Sequence, residues 1–298
     1  MAGAAPKPQS RFSLKWLVPP LLLIAILLWS ATAAMPDDKL RVSFLDVGQG
    51  DAILIQTPDG QNILIDGGPN PQKVSLELGE KLPFWDRTID FMVSTQPHAD
   101  HITGLVEVLH RYDVKQVLEP GVPYESLIYS EWLRLVKDKG IKHEIARAGQ
   151  EINLGNGIKM EVLNPPEKLF EETSDDVDNN GLVLKLSWGD ISFLFTADIR
   201  EEAEWHLISQ RAGIKSDVLK VAHHGSNTSS SPQFLAVVDP KIAVISVGAD
   251  NRFGHPSLEV VGMLTDSLGE DKVYLTSEDG TIEFITDGET LWVRMLEN

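Results

Sequence analysis

The stretch Ile89-Asp90-Phe91-Met92-Val93-Ser94-Thr95-Gln96-Pro97-His98-Ala99-Asp100-His101-Ile102-Thr103-Gly104-Leu105-Val106-Glu107-Val108-Leu109 decides how this chain is read. Its first seven residues are the short apolar run of a buried strand. Ile102, Leu105, Val106 and Leu109 then recur at i, i+3, i+4 and i+7, which predicts a helix with one buried face. Between strand and helix lies a turn carrying His98, Asp100 and His101. Such a turn at the carboxyl edge of a strand is where layered α/β proteins assemble sites, because loops converge there on a rigid frame.

The same arrangement recurs three more times. Asp198 follows Phe193-Leu194-Phe195-Thr196-Ala197, and His223-His224-Gly225-Ser226 follows Val218-Leu219-Lys220-Val221-Ala222. A loop with Asp250, Arg252 and His255 follows Ala243-Val244-Ile245-Ser246-Val247. Five of the eight histidines fall at these edges, whereas His110, His143 and His206 do not and read as surface or structural residues. Imidazole and carboxylate donors, in a chain with no cysteine, suit zinc, manganese or iron. Neighbouring side chains diverge in an extended chain, so one of His223 and His224 is expected as a ligand. Each piece also has a plain alternative: Asp198 with Glu201 fits a capping box, Asp100 a helix cap, and Ser231-Pro232 an ordinary helix start. Four strand ends carrying metal-type residues favour a metal site.

Outward from these edges the chain alternates strands and helices. Arg41–Val47, Ala52–Thr57 and Asn62–Asp66 open as a strand and hairpin. Strand 115–118, helix 126–139 and strand 142–146 follow the quoted stretch. After the acidic turn 171–178 come strands 182–187 and 192–196, helix 200–211, strand 217–222, helix 233–238, strand 242–247, helix 258–268 and strands near Val273 and Ile282. Hairpins open both halves, so two face-to-face sheets with helices outside are expected instead of one doubly wound sheet.

The chain has 298 residues, 42% of them hydrophobic and 23% charged, an ordinary globular composition. Its net charge is −18. With Lys7, Arg11 and Lys15 set aside, 23 basic residues face 44 acidic ones from Trp16 onward. Such a surface exerts no long-range pull on nucleic acid or an anionic membrane, so an anionic substrate has to be held locally. Trp16–Pro36 lacks charge and follows the basic segment 1–15. It reads as a transmembrane anchor or a signal peptide with Ala31-Thr32-Ala33 at its end, placing the domain 37–298 outside the cytoplasm, membrane-bound or secreted.

Ile63-Leu64-Ile65-Asp66-Gly67-Gly68, His98-x-Asp100-His101, Asp198 and a late histidine resemble the metallo-β-lactamase superfamily. More narrowly, Phe44-Leu45-Asp46-Val47-Gly48-Gln49-Gly50-Asp51-Ala52, Asn179-Asn180-Gly181, Lys220-Val221-Ala222-His223-His224-Gly225-Ser226 and Asn251-Arg252-Phe253-Gly254-His255-Pro256 are similar to the extracellular hydrolase domain of ComEC-type DNA-uptake proteins. The resemblance covers Leu40–Asn298. It implies an αββα sandwich, one or two divalent ions (zinc or manganese), and hydrolysis by a metal-bound hydroxide. The ligand positions are His98, Asp100, His101, Asp198 and His223 or His224. Two departures bear on one ion: Gln96 stands where the superfamily's turn usually starts with His, and Asn179 and Asn180 stand where it usually offers another. One tight and one weak ion are therefore expected.

Asp100 and His255 are the expected proton-transfer residues, Asp66 a brace for the ligand turn, and Lys220, Arg252 and Ser226 the groups offsetting or cradling phosphate. Asp46, Gln49 and Asp51 read as turn and scaffold. The leading expectation is an extracytoplasmic phosphodiesterase, a nuclease on single-stranded or incoming DNA working beside a separate channel. The alternatives are a hydrolase of small esters, thioesters or lactams, and a metal-binding module with weakened turnover.

Overall fold

The structure is a computed structural model that describes residues 17–33 and 38–296. The chain divides between Asp37 and Asp38. Of the first unit, the described element is helix α1 (Val18–Ala33). Sixteen residues span roughly 24 Å at the α-helical rise, short of the ~30 Å hydrocarbon core. Among the described residues, no helix is long and apolar enough to cross a membrane. The expected anchor extends beyond α1 at both ends, into positions 16 and 34–36 that lie outside the described residues.

The second unit begins with β1 (Leu40–Phe44), β2 (Ile53–Gln56), β3 (Asn62–Ile65), α2 (Pro71–Lys81), β4 (Thr88–Val93), α3 (Ala99–Arg111), β5 (Asp113–Glu119), α4 (Leu127–Asp138) and β6 (Lys142–Ile145). Its second half comprises β7 (Glu151–Asn153), β8 (Lys159–Asn164), α5 (Asp176–Asn179), β9 (Val183–Trp188), β10 (Ile191–Phe195), α6 (Glu201–Ser209), β11 (Val218–Lys220), α7 (Pro232–Val238), β12 (Ile242–Ile245), α8 (Leu258–Leu268), β13 (Val273–Leu275) and α9 (Thr276–Asp279). The last two strands, β14 (Thr281–Thr286) and β15 (Leu291–Leu296), join the first sheet, where β14 pairs with β1.

One sheet has the order β15-β14-β1-β2-β3-β4-β5-β6 and the other β13-β12-β11-β10-β9-β8-β7. Three apolar clusters make four layers of them. Phe44, Ile63, Phe193, Phe195, Val244 and Phe284 fill the space between the sheets. Val74, Leu105, Val117 and Trp132 join α2, α3 and α4 to the first sheet. Leu194, Leu207, Phe234, Ile245 and Leu264 join α6, α7 and α8 to the second. The expected αββα sandwich is the observed architecture. Helix α3 buries Ile102, Leu105, Val108 and Leu109, while Val106 is only partly buried.

Parallel pairing in β3–β6 and β10–β13 aligns the carboxyl ends that carry the candidate residues. Helix α2 is anchored by Asn70, whose side chain accepts from the Gln72 and Lys73 N–H groups, with Pro71 opening the helix.

A buried ion cluster closes the far side of the first sheet. Glu283 on β14 contacts Lys81 Nζ at 2.9 Å, Arg41 at 3.8 Å and Arg294, with its side chain 3% exposed. Burial pushes its carboxyl up, but the bond to Lys81 and the nearby Arg294 outweigh burial and hold it below its ordinary value. A depressed acid stabilises the fold above its unfolded pKa, near 4.3, and loses that contribution as pH falls through the native value. Glu283→Gln is therefore expected to lower stability by about 3 kcal/mol at pH 7. The gap to wild type should close below about pH 4. Urea unfolding at several pH values measures it, and a gap independent of pH would contradict the assignment.

Candidate metal centre

Three strand ends meet at one point, those of β4, β10 and β11. The Asp100, His101, Asp198 and His224 side chains each offer a donor atom, and these lie within 4.8 Å of one another. Asp100 and His101 come from the first turn of α3, Asp198 from the segment after β10, and His224 from the turn after β11. That last turn bends sharply: His223 and His224 adopt φ of 50° and 55°, in the left-handed region. This geometry separates the adjacent rings and sends His224 inward, 1% exposed.

Each donor is oriented from behind. His101 Nδ1 lies 2.8 Å from Asp66 Oδ2, and Asp66 is itself fixed by the Thr95 N–H and hydroxyl at 2.8 and 2.6 Å. His224 Nδ1 lies 2.8 Å from the Ser246 carbonyl. Both rings thus turn Nε2 toward the centre, where His101 Nε2 is 3.1 Å and His224 Nε2 3.4 Å from Asp198 Oδ2. His224 Nε2 is also 3.4 Å from Asp100 Oδ2. Asp66 is the predicted brace. The capping readings do not hold, because the residues before α3 and α6 are His98 and Arg200, neither making a side-chain cap.

The electrostatics follow from this packing. Burial pulls His224 down, but Asp198, Asp51 and Asp100 outweigh it and lift the ring to about 10. His101 is raised well above its ordinary value for the same reason. Burial pushes Asp100 up, yet His101 and His224 bring it down to about 2. Asp198 is likewise held well below the ordinary range by His224 and His101, against burial.

Do these residues fit a divalent ion? Asp198 Oδ1 and His224 Nε2 are buried with no hydrogen-bond partner, a costly arrangement unless something else binds them. Two imidazoles and two carboxylates form a donor set that zinc, manganese and iron accept. The set fits.

Other expected residues lie elsewhere. His98 is not among the four donors; its Nδ1 faces Asp178 Oδ1 at 3.3 Å, and Arg200 Nε secures Asp178 at 2.9 Å. Asn180 is no ligand either, because its amide bridges the backbone of Phe170 and Asp176. Asn179 accepts from the Arg200 and Ala203 N–H groups. Gln96 Nε2 donates to Asp198 Oδ2 at 3.1 Å, leaving its own carbonyl oxygen buried and unpartnered. His223 is half-buried and not among the four donors; it meets the Thr228 hydroxyl at 3.2 Å, and burial lowers its pKa. His255 rings the site, its centroid 5.4 Å from His223 and 6.4 Å from His224. Its Nδ1 is buried without a partner.

Lys220 is not a surface phosphate contact but a buried cation, 1% exposed. It pairs with Asp51, lies 3.7 Å from Asp198 Oδ1 and donates to the Ala197 carbonyl at 3.0 Å. Burial opposes its charge, but Asp51 and Asp198 raise its pKa. Asp51, read as scaffold, therefore belongs to the site's charge balance. Ser226 meets the Thr228 hydroxyl at 3.0 Å. Downstream, Ser229 bonds the Ile199 carbonyl, Glu204 accepts from Ser231 N–H, and Ser231 caps α7. The run builds the turn instead of an open anion cradle. Sequence pattern does not single out Asp178, because the acidic turn 171–178 has the composition of a solvent-facing loop.

Residues 45–249 match the metallo-β-lactamase superfamily model, and the chain belongs to that superfamily. It is a metal-dependent hydrolase by fold and family. Within that class it is similar to competence proteins. It is 29% identical to ComE operon protein 3 of Bacillus subtilis (strain 168) over 262 residues, 82% of this chain and 33% of that protein. To Recombination protein 2 of Haemophilus influenzae it is 30% identical over 227 residues, covering 75% of this chain and 26% of that protein. The chain thus spans about a third or less of these curated relatives. Among solved structures, Igni18, a metallo hydrolase from the archaeon Ignicoccus hospitalis KIN4/I, shares the fold with a TM-score of 0.53 and 14% identity, over 87% of this chain and all of that one.

Proposed function

We propose that this chain is a metal-dependent phosphodiesterase acting on nucleic acid, with one tightly held ion. The observation that carries the reading is the convergence of Asp100, His101, Asp198 and His224 around the unpartnered atoms Asp198 Oδ1 and His224 Nε2. The competence and recombination relatives favour a nucleic-acid diester over a small ester or lactam.

A divalent ion bound by those four residues would make water ionise near neutral pH and polarise the phosphoryl group. The chain's own residues do the rest. Asp66 and the Ser246 carbonyl set which nitrogen of each histidine faces inward. Lys220 balances Asp51 and Asp198, so that a phosphate can approach a carboxylate-rich centre. His255, lowered by burial and by His223 and His224, stays neutral near pH 7 and holds a proton or lone pair at Nδ1 for a substrate oxygen.

A second ion has a poor shell: His98 is engaged by Asp178, both asparagines hold backbone, and of these four positions Gln96 alone leaves a side-chain oxygen unpartnered. Such an ion would be weak and completed by substrate. We further propose an exported domain tethered or released at its N-terminal apolar segment and working beside a separate DNA-uptake channel. The basic flank before Trp16 supports that orientation.

Purified protein loaded with manganese or zinc should hold one ion per chain by elemental analysis. It should cleave a fluorescent DNA strand and bis-p-nitrophenyl phosphate, and lose both activities with chelator. Two tightly held ions, or activity confined to carboxylic esters, would overturn the proposal.

A further inference from the structure

We propose that Phe253 is a stacking platform for an unpaired nucleobase at the rim of the metal centre, which makes diesters of unpaired strands the preferred substrate. This rests on the phosphodiesterase reading of the same site. Phe253 is 70% exposed, and a large apolar side chain left in water beside a catalytic cleft marks a binding surface. Its ring is stacked on His255, centroids 5.9 Å apart and planes 25° from parallel. His255 in turn lies 6.4 Å from His224, tilted by 33°. Three rings therefore lead from a proposed ion ligand to solvent, and the outermost keeps an open face.

Of the other exposed aromatics, Trp205 stands on α6 and has no ring contact with the site's histidines among the described residues, and three more are engaged elsewhere. Phe84 and Trp85 pack on each other, and Lys39 covers Trp292 at 3.8 Å. Tyr124 meets His98 edge-on but is packed against the core under α3 and α4.

The platform is held in place. Asn251 donates from its side chain to the Gly248 and His255 carbonyls at 2.8 and 2.6 Å, and accepts from the Phe253 and His255 N–H groups. Ser257 N–H bonds the Gly225 carbonyl at 2.9 Å, tying this loop to the turn that carries His224. A rigid aromatic on a fixed loop binds a base with little ordering cost. Beside it, Arg252 is exposed with no ion pair among the described residues, able to meet a neighbouring phosphate.

Stacking also answers the charge problem. A chain of net charge −18 cannot gather a polyanion through its field, but base stacking is charge-independent and tolerant of sequence. A base inside a duplex has both faces covered by its neighbours, so an unpaired base is what an open ring can take.

The test uses the metal-loaded full chain with fluorescent thymidine and uridine octamers, an abasic octamer with the same number of phosphates, and a duplex. Phe253→Ala is expected to weaken thymidine-octamer binding about tenfold by anisotropy, ~1.4 kcal/mol, and to raise KM similarly with kcat little changed. Abasic binding should not move, and Phe253→Trp should retain affinity. Equal loss on base-bearing and abasic strands, or none on either, overturns the platform even if cleavage continues. Should wild type cleave nothing while Phe253→Ala still loses affinity only for base-bearing strands, the hydrolase reading fails and the platform stands. Uridine matching thymidine identifies an unpaired base of either sugar as the ligand, whereas no binding of any octamer overturns it.

Discussion

Asp198→Ala is expected to strip the protein of its ion and to lower phosphodiester hydrolysis on the order of a thousandfold or more. The size follows from how many partners share that one carboxylate. Asp198 Oδ2 receives Gln96 Nε2 and faces His101 Nε2 and His224 Nε2, while Oδ1 faces Lys220. Among the described residues no other group reaches all of them. Losing Asp66, which touches only His101 and Thr95 within the site's inner bonds, should cost roughly 10–100-fold in metal affinity. Because Asp198 also faces the buried Lys220, His101 and His224, a second variant away from that packing, Asp100→Asn at a side chain 32% exposed, tests the centre independently of folding. Elemental analysis and bis-p-nitrophenyl phosphate turnover, with circular dichroism as a folding check, measure all three variants. Tight metal retained by both Asp198→Ala and Asp100→Asn would remove the four-residue centre.

The parts of this centre legible from sequence are those whose role is set by local pattern. A buried strand followed by His or Asp declares itself because strand and turn chemistry are short-range. Local pattern points in this way to Asp100, His101, Asp198 and the His223-His224 pair, and to Asp66 as a brace. What escaped depends on long-range packing. His98 looks like its neighbours in the quoted turn, yet an arginine about a hundred residues away fixes the Asp178 that turns it aside. Lys220 has the ordinary appearance of a strand-end cation, and only the approach of Asp51 from the opposite half makes it a buried counter-ion. Helix α2 and strands β7, β8 and β15 likewise leave no clear pattern in the sequence. Their periodic signal is weak: β15 has four of its six residues exposed, and α2 buries only Val74, Glu77 and Leu78. The choice between His223 and His224 needed two left-handed residues that no pattern announces.

The fold constrains the centre most tightly through a glycine that carries no chemistry. Gly104→Ala is expected to destabilise the domain by about 3 kcal/mol or more and to lower its melting temperature by about 10 °C. A Cβ at position 104 would sit 1.9 Å from the Gly67 carbonyl oxygen, 2.6 Å from its carbon and 2.8 Å from Val74 Cγ1. The first two are backbone, so no rotamer relieves the clash, and α3 must move away from the turn after β3. That turn is the support of the site. Gly67 N–H donates to the His101 carbonyl at 2.7 Å, Gly104 N–H to the Gly68 carbonyl at 2.9 Å, and Gly68 N–H to the Asp51 carbonyl at 2.8 Å. Displacing α3 therefore separates His101 from Asp66 as well, and metal affinity should fall together with stability. Gly79→Ala is the matched control. It lies inside α2 with nothing within 4 Å of the added Cβ, and alanine's lower entropy cost should raise stability by up to about 1 kcal/mol. Thermal unfolding of both variants, with and without manganese, separates the two cases. A Gly104→Ala protein that melts with wild type would mean that α3 is not packed against the Gly67 turn, and the orientation of His101 would lose its structural basis.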